Sequence, residues 1–234
     1  MKVEDLRYYG KGFVNIMSDP KLVKRMSKVM IREFRRELGL IGILKMGWKM
    51  RKEAKRMKKH DWSMLRNHGF TDQGFLDWLV ENMAGMKALV DMLGIEKASE
   101  VYRIIWDRTA YDLMTSVFPS VEEFKACGDA FKSFKEYYKA NDATNERAGL
   151  YEVEIVEDAD DVFVCNYKYC LWSELAKEFG DPYLCYPANC YLDEVWIPRF
   201  ATEGGWEFKR TGTLATGAPV CDFRLERLPS GDKS

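Results

Sequence analysis

Only two histidines stand in this chain of 234 residues, His60 and His68, and both belong to its first third. That scarcity forces any Cys–His catalytic pair to join distant parts of the chain. No G-x-S-x-G elbow occurs for serine hydrolysis, and the Walker and dinucleotide glycine motifs are missing as well. No apolar run approaches the roughly 18 residues of a membrane-spanning helix. The first thirty residues, from "MKVEDLRYYG", carry no basic start followed by an apolar stretch and a small-residue cleavage site, which predicts a non-secreted, cytoplasmic protein. An excess of charge of one sign is also lacking. Lys+Arg 36 against Asp+Glu 37 leaves a net charge of -1, so nucleic acid is not predicted as a partner. No repeat with a period of about 20 to 50 residues is present.

What is present suffices for a large core, since 47% of the residues are hydrophobic and 14% aromatic. From Pro20 to about Lys139 the apolar period is helical. "DPKLVKRMSKVMIREFRRELG" begins with Asp before Pro, suited to N-cap and first helical position, and closes on Gly39. Thr71 to Gly94, about Glu96 to Val117, and Ser120 to Tyr138 repeat that logic, with Pro119 as punctuation. The polar segment "ANDATNERAGL", residues 140 to 150, is read as the end of this helical part. Beyond it the period changes to two. Leu150 to Tyr167 predicts a hairpin, "CLWSELAKEFG" a helix closed by Gly180, "PANCYLDEVWIPRF" a second helix cut short by Pro198, and "WEFKRTGTL" with "PVCDFRLERL" two strands around the turn "ATGA". The predicted fold class is α+β: a helical lobe over residues 1–145, then residues 146–234 as an antiparallel sheet of about four strands, two hairpins flanking two helices.

Five of the six cysteines lie in this last part, as C-x4-C, fourteen residues, C-x4-C, thirty residues, C. Without a secretory signal they read as reduced thiols rather than a disulfide framework. Zinc ligands are usually spaced two to four residues apart within each pair, and Cys165 belongs to a predicted strand, so neither metal nor cofactor is assigned. Cys127, Cys165 and Cys185 are read as small buried hydrophobes. Cys170 and Cys190 each fall at a predicted helix start, where free N–H groups favour the thiolate. Asn189 is the expected N-cap beside Cys190, with Asp193 and Glu194 three and four residues on. These acids suit proton exchange but oppose a lowered thiol pKa.

The run "CLWSELAKEFG" from Cys170, "CYLD" from Cys190 and "KRTGTLATGAPVCDFR" resembles the bacterial L-2-amino-thiazoline-4-carboxylic acid hydrolase family. The resemblance covers roughly residues 160 to 226 and places Cys170, Cys190, Asp193, Arg210, Thr211, Thr213, Gly217, Cys221, Asp222 and Arg224 on the family pattern. It implies addition of water to the amidine-like carbon of a thiazoline ring, opening it to an N-carbamoyl cysteine. Under that implication Cys170, Cys190 or Cys221 supplies a nucleophilic thiolate and Asp193 or Asp222 moves protons. Thr211 or Thr213 hydrogen-bonds the substrate, and Arg210 or Arg224 grips its carboxylate. The competing reading of these Arg and Thr residues is cross-strand pairing on a solvated sheet face. The three cysteines are expected to converge on one pocket, with Cys185 outside it. A second resemblance, to the small-ligand-binding fold shared by vinyl-reductase-type and vesicle-tethering domains, implies instead a non-catalytic pocket lined by thiols.

One local charge run remains. Between Lys45 and Lys59 stand eight Lys or Arg against one Glu, interleaved with Met46, Trp48, Met50 and Met57. Such a segment suits a membrane surface or an acidic partner, or else it is a solvated face whose apolar stripe packs into the core. A small-molecule substrate is the main expected partner, and the oligomeric state is left open.

Overall fold

The helices begin where their caps are. In the computed structural model, which describes residues 1–229, the Asp19 carboxylate accepts from the Lys21 and Leu22 N–H groups, and Pro20 opens the long helical segment. The helices in chain order are α1 (Gly12–Met17), α2 (Pro20–Met57), α3 (Ser63–Arg66), α4 (Gln73–Leu93), α5 (Ile95–Thr115), α6 (Val121–Ala126) and α7 (Ala130–Arg147). Gly39 interrupts α2 with φ 67 and ψ 179, so its two halves are separate helices meeting at a kink.

The helical part departs from expectation twice. The helix expected over residues 120–138 is two, because the backbone turns at Gly128 and Asp129 caps a new start by accepting from the Lys132 N–H. The expected break at residues 140–150 is also absent: α7 continues to Arg147. Asn141 and Asn145 are buried there, and their side-chain oxygens accept from the N–H groups of Gly12 and Phe13. Polar residues read as loop signals are thus helix–helix contacts.

Strands β1 (Tyr151–Asp158) and β2 (Val162–Cys170) lead into α8 (Leu171–Glu178). A π-helical turn over Tyr186–Cys190 runs into α9 (Tyr191–Gly204), and β3 (Trp206–Lys209) and β4 (Cys221–Arg227) complete the sheet. Its order is β1-β2-β4-β3, antiparallel throughout, so the two hairpins meet at the β2–β4 pairing. The α+β architecture, a helical N-terminal region followed by a four-stranded antiparallel sheet, is as the period change predicted. Residues 230–234, the end of the expected second segment, lie outside the described residues.

Two details of this part differ from the sequence reading. Helix α9 passes through Pro198 to Gly204. An interior proline costs a backbone hydrogen bond, but Trp196, Ile197, Phe200 and Ala201 are all buried, and that apolar face keeps the helix going. The connection from β3 to β4 is also no tight turn: Arg210 to Val220 form a long loop containing a short 3-10 turn at Leu214–Thr216.

The core is shared by helices and sheet. Trp206 of β3 is fully buried against Phe131 and Phe134 of α7 and Phe200 of α9. Helix α7 joins the sheet through Leu150, whose carbonyl accepts from the Leu171 N–H at 2.8 Å. Just before it, Gly149 has φ 72, and a Cβ there would meet the Phe70 nitrogen at 2.4 Å and the His68 oxygen at 2.6 Å, so only glycine lets these backbones approach.

Candidate active site

Alternation along β4 sorts the residues of the block from Arg210 to Arg224. Cys221, Phe223 and Leu225 are buried, while Asp222, Arg224 and Glu226 take the opposite face. Cys221 and Asp222 therefore act on different sides of the sheet, and both hold the long loop. The Asp222 carboxylate accepts from the Thr211 N–H, the Thr211 hydroxyl at 2.6 Å and the Gly212 N–H at 2.7 Å. Burial alone raises this carboxyl, but those donated bonds outweigh it and hold Asp222 below its ordinary value. Cys221 Sγ accepts from the Leu214 N–H at 3.2 Å. Thr213, buried, caps the 3-10 turn by accepting from the Thr216 N–H. Gly212 is required by closeness: a Cβ there would lie 2.6 Å from that of Ala218. Arg224 pairs with Glu226 and Glu157 on the half-exposed outer face, the cross-strand arrangement, and not on the Cys221 side.

Arg210 is the buried centre of the site, its side chain only 3% exposed. Its guanidinium donates to the Cys190 carbonyl at 2.7 Å, to Glu194 Oε1 at 2.8 Å and to Asp193 Oδ2 at 3.2 Å, which joins the loop to the first turn of α9. The Tyr186 hydroxyl also donates to Glu194, and the Trp196 indole N–H to Asp193. Arg210 Nε has no partner among the described residues. Burial raises the Asp193 carboxyl above its ordinary value, with the Arg210 charge opposing, so this acid holds its proton more tightly than a surface aspartate.

The π-helical turn changes the expected cysteine chemistry. Cys190 is preceded by helical backbone, and the Tyr191 N–H bonds the Tyr186 carbonyl, so Asn189 caps no helix start and no free helix end stands at this thiol. The wide turn instead stacks residues five apart, and the sulfurs of Cys185 and Cys190 lie 3.7 Å apart. The expectation that Cys185 stands outside the thiol group is therefore corrected. Cys170 does sit at a helix start, as the residue before α8. Burial nevertheless drives its thiol up, with Cys190 and Cys221 adding to the rise and the N–H groups of Ser173 and Trp172 opposing it. Burial pushes Cys221 to about 11 against the Leu214 N–H, and the contact with Cys190, together with burial, pushes Cys185 well up. Of these thiols, Cys185 and Cys190 are in direct contact, and Cys170 and Cys221 stand near enough to them to share in the rise. Cys165 is buried on β2, its thiol raised by burial, and Cys127 lies away on the end of α6.

Sequence reading missed a second acid near this layer. Tyr167 pairs with Cys221 across the sheet, and its hydroxyl donates to Asp142 of α7 at 2.8 Å while lying 2.5 Å from that of Tyr138. Burial pushes the Asp142 carboxyl up to about 7, against the bonds from Tyr167 and Asn145. Its signal was obscured because "ANDATNER" reads as a loop. The histidines go elsewhere: His60 Nε2 pairs with Glu178 at 2.9 Å, and His68 stacks on Tyr169 at 3.8 Å between ring centroids. Neither hydrogen-bonds a cysteine among the described residues. No group of metal-ligating side chains suited to an ion occurs among them either, nor a helix long and apolar enough to cross a membrane.

Comparison with known proteins gives three findings. No curated protein matches the sequence. The crystal structure of the phenol-responsive sensory domain of the transcription activator PoxR with phenol aligns at a TM-score of 0.35 and 15% identity, over 62% of this chain and 72% of that one. The model of the L-2-amino-thiazoline-4-carboxylic acid hydrolase family matches residues 79–225, more than half of the chain and reaching back through α7 to α4, well before the closing motifs of residues 160 to 226. By that match, which spans both the acids of α9 and the latched loop before β4, the chain belongs to the L-2-amino-thiazoline-4-carboxylic acid hydrolase family.

Proposed function

We propose that this protein is a cysteine-dependent hydrolase that opens a small cyclic amidine-like ring of the 2-amino-thiazoline-4-carboxylate type. The observation that carries the reading is the set of bonds made by Arg210: one buried cation holds the Cys190 carbonyl, Asp193 and Glu194 together, beside a second thiol 3.7 Å from Cys190. The assigned nucleophile is Cys190, the thiol whose own backbone the Arg210 guanidinium holds beside Asp193 and Glu194. Its thiolate adds to the carbon between the ring sulfur and nitrogen. The carbon–sulfur bond of the ring breaks, and Asp193 donates a proton to the departing sulfur. Water then adds to the resulting isothiourea carbon, the Cys190 sulfur leaves, and the product is an N-carbamoyl cysteine. One water is consumed and the enzyme thiol is restored. Arg210 Nε, buried and unpartnered, is the donor available to a substrate carboxylate, whereas Thr211, Thr213 and Asp222 shape the loop and Arg224 lies on the outer face.

The test is ring opening of a thiazoline carboxylate panel by the purified protein beside Cys170→Ala, Cys190→Ala and Cys221→Ala variants. A nucleophilic role predicts a fall in kcat of about 100-fold or more for Cys190→Ala and a much smaller one for the other two. Wild-type turnover in all three would end the thiolate mechanism. The burial that keeps Cys170, Cys185 and Cys221 protonated also favours a second reading, a ligand-binding pocket that performs no chemistry. That reading gains if the wild type turns over no member of the panel and copurifies with a small ligand.

A further inference from the structure

The second half of α2 carries its apolar residues on two faces. Met46, Ala54 and Met57 are buried against the rest of the protein, which accounts for part of the stripe seen in the sequence. Ile41, Leu44 and Trp48 are not: they are 71%, 66% and 66% exposed, at spacings of three and four residues that align them along the outward side. Lys45, Lys52 and Lys55 continue that same outward side and Lys59 follows in the turn just past the helix, all exposed, and the Lys52 ammonium stands 5.8 Å over the Trp48 ring. Arg56 and Lys58 are paired with Glu53 and Glu81. Lys45, Lys49, Arg51, Lys52, Lys55 and Lys59 have no carboxylate partner among the described residues. Beside them, a cavity of about 430 Å³ is lined by Arg51, Lys55, Lys58 and Lys59 together with Met50, Ala54 and Glu81.

We infer that this face docks on an anionic lipid bilayer. Charge complementarity selects the occupant. A strongly cationic segment in a protein of net charge -1 suits a surface carrying dense negative charge, and its exposed tryptophan and two aliphatic side chains suit the boundary between headgroups and acyl chains. An acidic soluble protein would meet the lysines but leave Ile41, Leu44 and Trp48 in water. On a bilayer those three side chains enter the interface, the long lysine stems lie along it, and their ammonium groups meet phosphate headgroups. The attachment is peripheral and reversible, and it lies apart from the thiol cluster.

Vesicle flotation with the full chain tests this, using phosphatidylcholine vesicles with and without phosphatidylserine. Binding is expected only to the anionic vesicles, with loss at about 1 M salt, where the screening length falls to about 3 Å. The Lys52→Glu/Lys55→Glu double variant is expected to bind at least about tenfold more weakly, given the attraction contributed by each basic residue at such a surface. The wild type should show a blue shift in tryptophan emission on binding that Trp48→Phe lacks. Ring-opening turnover and far-UV circular dichroism should be unchanged in these exposed-site variants, which separates failure here from failure of the proposed chemistry. Should either variant misfold, Lys45→Gln, expected to weaken binding severalfold, takes its place. The inference is overturned by absence of anionic-vesicle binding at low salt, or by an emission shift that survives Trp48→Phe. Stable self-association that is lost in Trp48→Ala, or binding to polyglutamate as tight as to vesicles, would overturn it equally.

Discussion

Cys185 and Cys190 hold their sulfurs 3.7 Å apart because a π-helical turn, and not an α-helical one, lies between them. In an α-helix residues five apart point to different sides, so this pair exists only through the wider turn. The Trp106 indole N–H fixes that turn from α5 by donating to the Pro187 carbonyl at 2.9 Å.

Alkylation should report which thiol matters. Treated with iodoacetamide near neutral pH, the folded protein is expected to lose turnover in step with modification of Cys190, while the fully buried Cys165 and Cys185 react only on unfolding. Peptide mass spectrometry at intervals checks this. Full labelling of Cys190 with turnover intact would refute its role.

Arg210 should be irreplaceable for two reasons at once. Arg210→Ala removes the buried cation and leaves Asp193 and Glu194, each about a third exposed and so partly hydrated, without their shared partner, which should lower the melting temperature measurably. Arg210→Lys keeps the charge but not the fork that reaches both acids and the Cys190 carbonyl, so it should fold yet lose at least about tenfold in turnover. Thermal unfolding and kinetics of the two variants separate the effects.

Asp142 makes stability depend on pH. Its carboxyl is raised from the ordinary value to about 7 in the folded protein, so the native state holds a proton that the unfolded chain has already released above about pH 4. The stabilisation is complete below that pH and is lost as pH rises through 7. Denaturant titrations between these limits should show the wild type losing stability relative to D142N as pH increases. A difference that is flat with pH would contradict the assignment.

Gly149→Ala should be among the more damaging single-methyl additions in the protein. The added carbon would stand 2.4 Å from the Phe70 nitrogen at a positive φ, and the backbone conformation alone costs of order 1–3 kcal/mol for a non-glycine residue. The melting temperature measures it, and a shift of a degree or less would show that the 68–70 loop moves aside freely.

The change of apolar period near residue 150 was enough to predict helices followed by an antiparallel sheet, because amphipathic spacing is a local property that burial rewards wherever the segment packs. The Asp–Pro start of α2, the break at Gly39 and the family's closing block were readable for similar reasons: caps, turns and motif spacing need only near neighbours. Tertiary structure decided the rest. Asn141 and Asn145 read as loop residues until α1 arrived to use their side chains, and Pro198 read as a stop until the buried face of α9 outweighed one lost hydrogen bond. Residue type alone places Cys185 in the core, and only a π turn held by a distant tryptophan sets it against Cys190. Asp142 acquired its raised pKa, and Arg210 its two acids, from burial among partners far away in the chain. Desolvation and long-range pairing depend on what surrounds a side chain in space, and no local pattern of residues encodes that.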